Sequence, residues 1–192
     1  IAEVGTHEQK LEYVAGGLRG EVLIALGYSE PDSGSDVAAA KTAATRDGDE
    51  WVITGQKLWT TGAVKADWAI LVARTNFDVP KHKGITYFVI DMHQPGVEVR
   101  PLMQMNRYAS FNEVFLTEVR VPGENLVGGQ GAGWTLARTT LMHERMNIAA
   151  LLYGLGVPYI LPAALWVLAA LSWFTVLQRM LHVRKQLVVR DS

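Results

Sequence analysis

The sequence predicts an α+β fold with a β-rich middle between two helical ends. Apolar residues recur at helical spacing near the start of the chain. Strand-length runs of β-branched and aromatic residues, punctuated by turn signals, then fill residues 23–122, and helical spacing returns from about Gly133. Regularly spaced strands without intervening helices point to an antiparallel sandwich or barrel.

In residues 7–20, Leu11, Val14 and Leu18 share a helical face before a glycine-containing loop. Residues 41–46 and 52–61 read as two strands joined at Asp47-Gly48-Asp49, a hairpin signal. Residues 68–75 and 84–91 are near-continuous apolar runs of strand length. Residues 97–100 and 113–121 complete the set, with Pro95-Gly96 and Pro122-Gly123 marking turns. On the helix from Gly133, the residues Ala137, Leu141, Glu144 and Ile148 fall on one face, three apolar and one a carboxylate. Residues 148–178 carry no charged side chain and are followed by Arg179, Arg184, Lys185 and Arg190. A membrane span with a basic flank fits this pattern. Pro158 and Pro162 interrupt it, however, and the uninterrupted part, residues 163–177, is shorter than the roughly 20 residues a span needs. A buried helix of a bundle is the competing expectation, and membrane attachment is the weaker of the two.

With 49% hydrophobic and 19% charged residues, the chain is expected to fold rather than remain disordered. A formal net charge of −1 gives no basic face for a nucleic-acid partner. The absence of cysteine excludes disulfides, thiolate catalysis and cysteine zinc sites. The five histidines show no metal-ligand spacing, so no metal is expected. The first residue is Ile1 and no signal-peptide pattern follows, which fits a segment of a longer protein in the cytoplasm.

Two stretches are candidates for chemistry. Gly27-Tyr28-Ser29-Glu30-Pro31-Asp32-Ser33-Gly34-Ser35-Asp36 offers hydroxyl and backbone donors, and Gly34 allows a ligand close to the main chain. An anionic or polar cofactor edge would suit it, although composition alone favours a solvated turn. At Trp59-Thr60-Thr61-Gly62, an indole face suits a planar heterocycle and two hydroxyls lie beside it. A strand-end tryptophan packed in the core is the plainer alternative.

GYSEPDSGSD, DGDEWVITGQKLWTTGA, ADWAILVART, KGITYFVID with GVEV, EVRVPGENLVGGQGAGW and LMHER follow one another in the order and spacing of one family. Residues 6–150 thereby resemble the acyl-CoA dehydrogenases, most of all a bacterial branch with Trp-Thr where Trp-Ile is usual. The resemblance implies the end of an N-terminal helical domain (1–20), a middle β-domain (21–132) and the start of a C-terminal helical bundle (133–192). It implies FAD as cofactor. Ser29 would stand beside the flavin pyrimidine ring with the main chain of Tyr28. Ser35 would meet the cofactor pyrophosphate and the acyl-CoA, Trp59 the flavin ring, and Thr60 and Thr61 its edge, with Thr61 near N5. Past Ala150 the family pattern is not found.

In most of the family the catalytic base lies further along the bundle. In the isovaleryl- and long-chain-type branches it sits in Leu-x-x-Glu-Arg on the first bundle helix, which Leu141, Glu144 and Arg145 match. An apolar face would desolvate Glu144, as suits a general base; pairing with a neighbouring cation is the structural alternative. Arg145 matches a residue near the substrate. The implied reaction removes the α-proton of an acyl-CoA thioester and transfers the β-hydrogen as hydride to FAD, giving the trans-2-enoyl-CoA. An electron-transfer flavoprotein would take the electrons, and a homo-oligomer is the expected assembly. A flavin oxidase of the same fold and a non-catalytic binding or scaffold module attached to a membrane through residues 148–178 are the rival expectations.

Overall fold

The structure, a computed structural model, describes residues 1–154, and of residues 148, 149 and 152–154 the backbone alone. It divides into two compact units, residues 1–139 and a second that begins at Thr140. The apolar stretch 148–178 falls mostly outside the described residues. Among the described residues no helix is long and apolar enough to cross a membrane.

The expected first helix is present as α1 (His7–Gln9), a π-helical turn over Lys10–Ala15, and α2 (Gly16–Leu18). Thr6 and Gln9 start it with a reciprocal capping box. The Gln9 amide then donates to the carbonyls of Glu124 and Leu126, tying the helix to a loop far along the chain.

Among the described residues eight strands follow: β1 (Ile24–Gly27), β2 (Ala43–Asp47), β3 (Glu50–Thr61), β4 (Trp68–Arg74), β5 (Ile85–Asp91), β6 (Val97–Leu102), β7 (Phe111–Pro122) and β8 (Leu126–Val127). They form one sheet in the order β6-β7-β3-β2-β4-β5-β8, with β1 beside β4. The expected hairpin is there: Asp47 pairs with Glu50, and Gly48 takes the turn at φ 61°. The pairing is antiparallel except where β1, and one residue of β2, run parallel to β4. Parallel neighbours need long connections, so no local turn signal announces them.

The near-continuous apolar runs become β4 and β5 because both of their faces are covered. On one face, Leu71, Phe88 and Ile90 join Trp51, Ile53, Val114, Leu116, Val119 and Val121 in the core. Trp51 of β3 meets Phe88 of β5 edge-on at 5.5 Å. These strands are not neighbours in the sheet, so the sheet must curl for them to touch. Gly133 begins α3 (Gly133–Gly154) so close to β5 that a Cβ there would lie 2.7 Å from the Ile85 carbonyl oxygen. Pro101 is accommodated because β6 is an edge strand.

The β3–β7 ladder carries two bulges. From Ile53↔Val119 to Gly55↔Leu116, β7 spends one residue more than β3; from Lys57↔Val114 to Thr60↔Asn112, β3 spends one more than β7. Each bulge contains a non-glycine residue with positive φ, Glu118 at 51° and Trp59 at 61°.

Candidate functional site

The 27–36 loop leaves the end of β1 and folds on itself, with hydrogen bonds from Glu30 N to Ser33 O (2.7 Å) and from Ser33 N to Glu30 O (3.1 Å). It is not a solvated turn throughout: Tyr28, Glu30 and Ser33 are buried, Ser29 is half-buried, and Ser35 is exposed. The Tyr28 and Tyr87 hydroxyls share a hydrogen bond. Leu58 N donates to Ser29 O at 2.9 Å, which joins this loop to the strand carrying Trp59. The two candidate stretches are thus brought together.

Beneath the loop lies a buried ion pair. Lys57 Nζ stands 2.7 Å from Glu30 Oε1 and 2.7 Å from the Val72 carbonyl. Lys41 N and Thr42 N donate to the same carboxylate at 2.6 and 3.0 Å. Burial pushes the Glu30 carboxyl up, but the Lys57 charge and the hydrogen bonds from Lys57, Lys41 and Thr42 outweigh it and hold the group below its ordinary value. Burial pulls the Lys57 ammonium down, against the opposing pull of Glu30. Neither residue was expected to matter from the sequence. The legible signal was parity: Lys57 shares the inward phase of Trp51 and Ile53 on β3, and a lysine there demands a carboxylate partner.

Trp59 sits in the β3 bulge. The residue is 58% exposed, although its ring meets Phe111 edge-on at 6.1 Å. A bulky residue at φ 61° costs on the order of 1–3 kcal/mol and persists where the surroundings or function require it. The bulge turns Thr60 inward and leaves Thr61 exposed. The Thr60 hydroxyl, Asn112 Oδ1 and the Ser33 hydroxyl are buried with no hydrogen-bond partner, while Asn112 Nδ2 donates to the Thr60 carbonyl at 2.9 Å. An exposed tryptophan in a strained turn, joined to the Ser29 loop, fits a planar ring such as a flavin.

Ser35 adjoins Asp36, whose carboxylate pairs with Lys81 in the β4–β5 turn. Arg74, itself buried, holds the two segments together by donating to the carbonyls of Ala38, Ala40 and Lys81. Lys81, His82 and Lys83 are exposed there, and His82 stacks edge-on against Trp134 at 4.5 Å. The Asp36–Lys81 pair brings this lysine-bearing turn next to the Ser35 segment, and lysines there suit a phosphate-bearing ligand.

Glu144 and Arg145 lie on α3. The apolar face expected to desolvate Glu144 is only partly realised: Ala137 is buried and Leu141 half-buried, but Glu144 and Arg145 are exposed. Helical phase sets Glu144 on the face of Leu141, and among the described residues nothing covers it.

Comparison with known proteins agrees with this geometry. Residues 25–119 match the family "Acyl-CoA dehydrogenase, middle domain". The chain is 51% identical over 149 residues to acyl-CoA dehydrogenase FadE34 of Mycobacterium tuberculosis, covering 78% of this chain but 21% of that one. Among solved structures it resembles the Tcur3481-Tcur3483 steroid ACAD, with a TM-score of 0.74 at 41% identity over 78% of this chain and 39% of that one. It also resembles glutaryl-coenzyme A dehydrogenase in a glutaryl-CoA complex, with a TM-score of 0.73 at 36% identity over 78% and 38%. The chain therefore spans well under half of the proteins it matches. Enzymes with these names are FAD-dependent oxidoreductases. An inward-curled β-domain, the paired 27–36 loop and Trp59 strand, and these matches together place the chain in the acyl-CoA dehydrogenase family.

Proposed function

We propose that this chain supplies the FAD- and acyl-CoA-binding platform, and the base, of an enzyme that converts an acyl-CoA to its trans-2-enoyl-CoA. The observation that carries the proposal is the strained, exposed Trp59 joined through Leu58 to the Ser29 loop. Residues 1–20 would end a helical domain, 21–132 form the platform, and 133–192 open a helical bundle.

Bound FAD would supply the hydride acceptor for the β-hydrogen. Ser29, the main chain of Tyr28 and the Thr61 hydroxyl would hold the polar edge of the flavin ring, with Trp59 against its face; Thr60, expected at that edge from the sequence, is turned inward and would support the turn from beneath. Ser35 would bind the cofactor pyrophosphate and the CoA moiety, assisted by the cations of the β4–β5 turn. The Glu144 carboxylate would accept the α-proton, and Arg145 would lie near the thioester. An electron-transfer flavoprotein is the proposed electron acceptor and a homo-oligomer the proposed assembly.

The test is FAD binding by the purified protein, followed by flavin absorbance and tryptophan quenching. Trp59→Ala is expected to weaken FAD binding about two- to tenfold, the scale of an aromatic stacking contact. The thermal midpoint should hold or rise, because the exposed ring contributes few core contacts and alanine relieves the steric strain only in part. Unchanged FAD affinity would remove the stacking role, and an unfolded variant would make Trp59 a core residue.

A further inference from the structure

We infer that the buried Glu30–Lys57 pair is a positioning clamp, locking the 28–36 loop onto β3 at the spacing in which Ser29 and Trp59 together receive a planar ligand. The ligand's identity rests on the FAD proposal above; the clamp itself does not.

Lys57 is 0% exposed, in the stretch of β3 between the two bulges. A charge there is costly to desolvate, and an apolar pair of equal volume would fill the space at least as favourably. Stability alone therefore does not account for the pair, whereas its connections do. The Lys57 ammonium reaches from β3 across to the Val72 carbonyl of β4 and to Glu30. The Glu30 carboxylate gathers the backbone amides of Lys41 and Thr42, so it fixes the chain both at the start of the loop and just beyond it. Next to Lys57, Leu58 N holds Ser29 O at 2.9 Å, and Trp59 follows. A single charged contact thereby sets four segments: the loop, the entry to β2, β3 and β4. Ser33 and Glu30 close the turn between them through their own backbone pair. Neither charged group is offered to the reacting atoms, so both are positioning residues.

The decisive variant is Glu30→Gln/Lys57→Met, which keeps volume at both sites and removes both charges. Amide hydrogen exchange is compared between this variant and the wild-type protein without cofactor, and FAD is then titrated into each. The expected result is near-wild-type protection through β4 and β5, with exchange at least about tenfold faster at the amides of Lys41, Thr42 and Leu58. FAD affinity should fall about tenfold or more through lost preorganisation. Wild-type exchange at those three amides overturns the clamp. Faster exchange with unchanged FAD affinity overturns its positioning role. A double variant that cannot fold also overturns the inference, since the pair would then be a support of the core. A wild-type protein that takes up no FAD overturns the functional proposal, and the exchange comparison still decides the clamp.

Discussion

Glu144→Gln in the intact protein is expected to slow flavin reduction by an acyl-CoA by about 10²–10⁴-fold, the usual contribution of a general base. FAD and substrate binding should stay near wild type. Glutamine keeps the shape and the hydrogen-bonding reach of the side chain but cannot take a proton from carbon. The expectation rests on Leu141-x-x-Glu144-Arg145 and on the placement of that segment along α3. Because Glu144 is exposed among the described residues, the desolvation that favours a carboxylate base has to come from bound substrate or from a segment beyond them. Anaerobic mixing with an acyl-CoA, followed by flavin bleaching, measures the effect. Normal bleaching in the variant would move the base off α3 and leave this chain as the cofactor platform alone.

Lys57→Met alone is expected to destabilise the fold by about 3–5 kcal/mol, since it leaves the Glu30 carboxylate buried without its cation. The lower end is favoured because Lys41 N and Thr42 N still donate to Glu30. The pH dependence distinguishes this cause from a packing defect. In the wild type the Glu30 carboxyl is held below its ordinary value, so its stabilisation is present above about pH 4.3 and is lost as pH falls through the folded value. In the variant, burial dominates and the folded value rises. The buried carboxylate then destabilises increasingly as pH climbs, and acid relieves it. The stability gap between the two proteins should narrow on acidification. Denaturant midpoints at pH 7 and pH 4.5 test this, and a loss below about 1 kcal/mol at neutral pH, or a gap independent of pH, would refute the explanation.

Much of the strand pattern was legible because it depends on local chemistry. The 68–75 and 84–91 runs match β4 and β5 closely, since a strand buried on both faces needs an unbroken apolar run and turn residues mark its ends. The hairpin at Gly48 was readable for the same reason. The parallel β1–β4 pairing was not, because it joins segments separated by a long connection with no turn of its own. Of the candidate site, the loop and Trp59 were found as separate stretches, but their junction at Ser29 O and Leu58 N depends on the tertiary fold. The Glu144 environment was overestimated: residues at i, i+4 and i+7 share a face whether or not anything covers it. Composition also favoured a solvated turn for the 27–36 loop, and could not show that Glu30 turns inward toward a lysine in another strand.

The two bulges of the β3–β7 ladder cancel. Paired positions sum to the same value at Glu50↔Pro122 and at Thr61↔Phe111, while the intervening stretch from Gly55 to Lys57 runs one out of step. Insertions and deletions therefore have a grammar here. Losing Trp59 alone, or Glu118 alone, shifts one end of the ladder by a residue and exchanges inner for outer side chains along it. Losing both leaves the two ends of the ladder in their present alignment. A lineage that shortened one strand could thus recover its fold by shortening the other, although without Trp59 it would keep the sheet and give up the aromatic face.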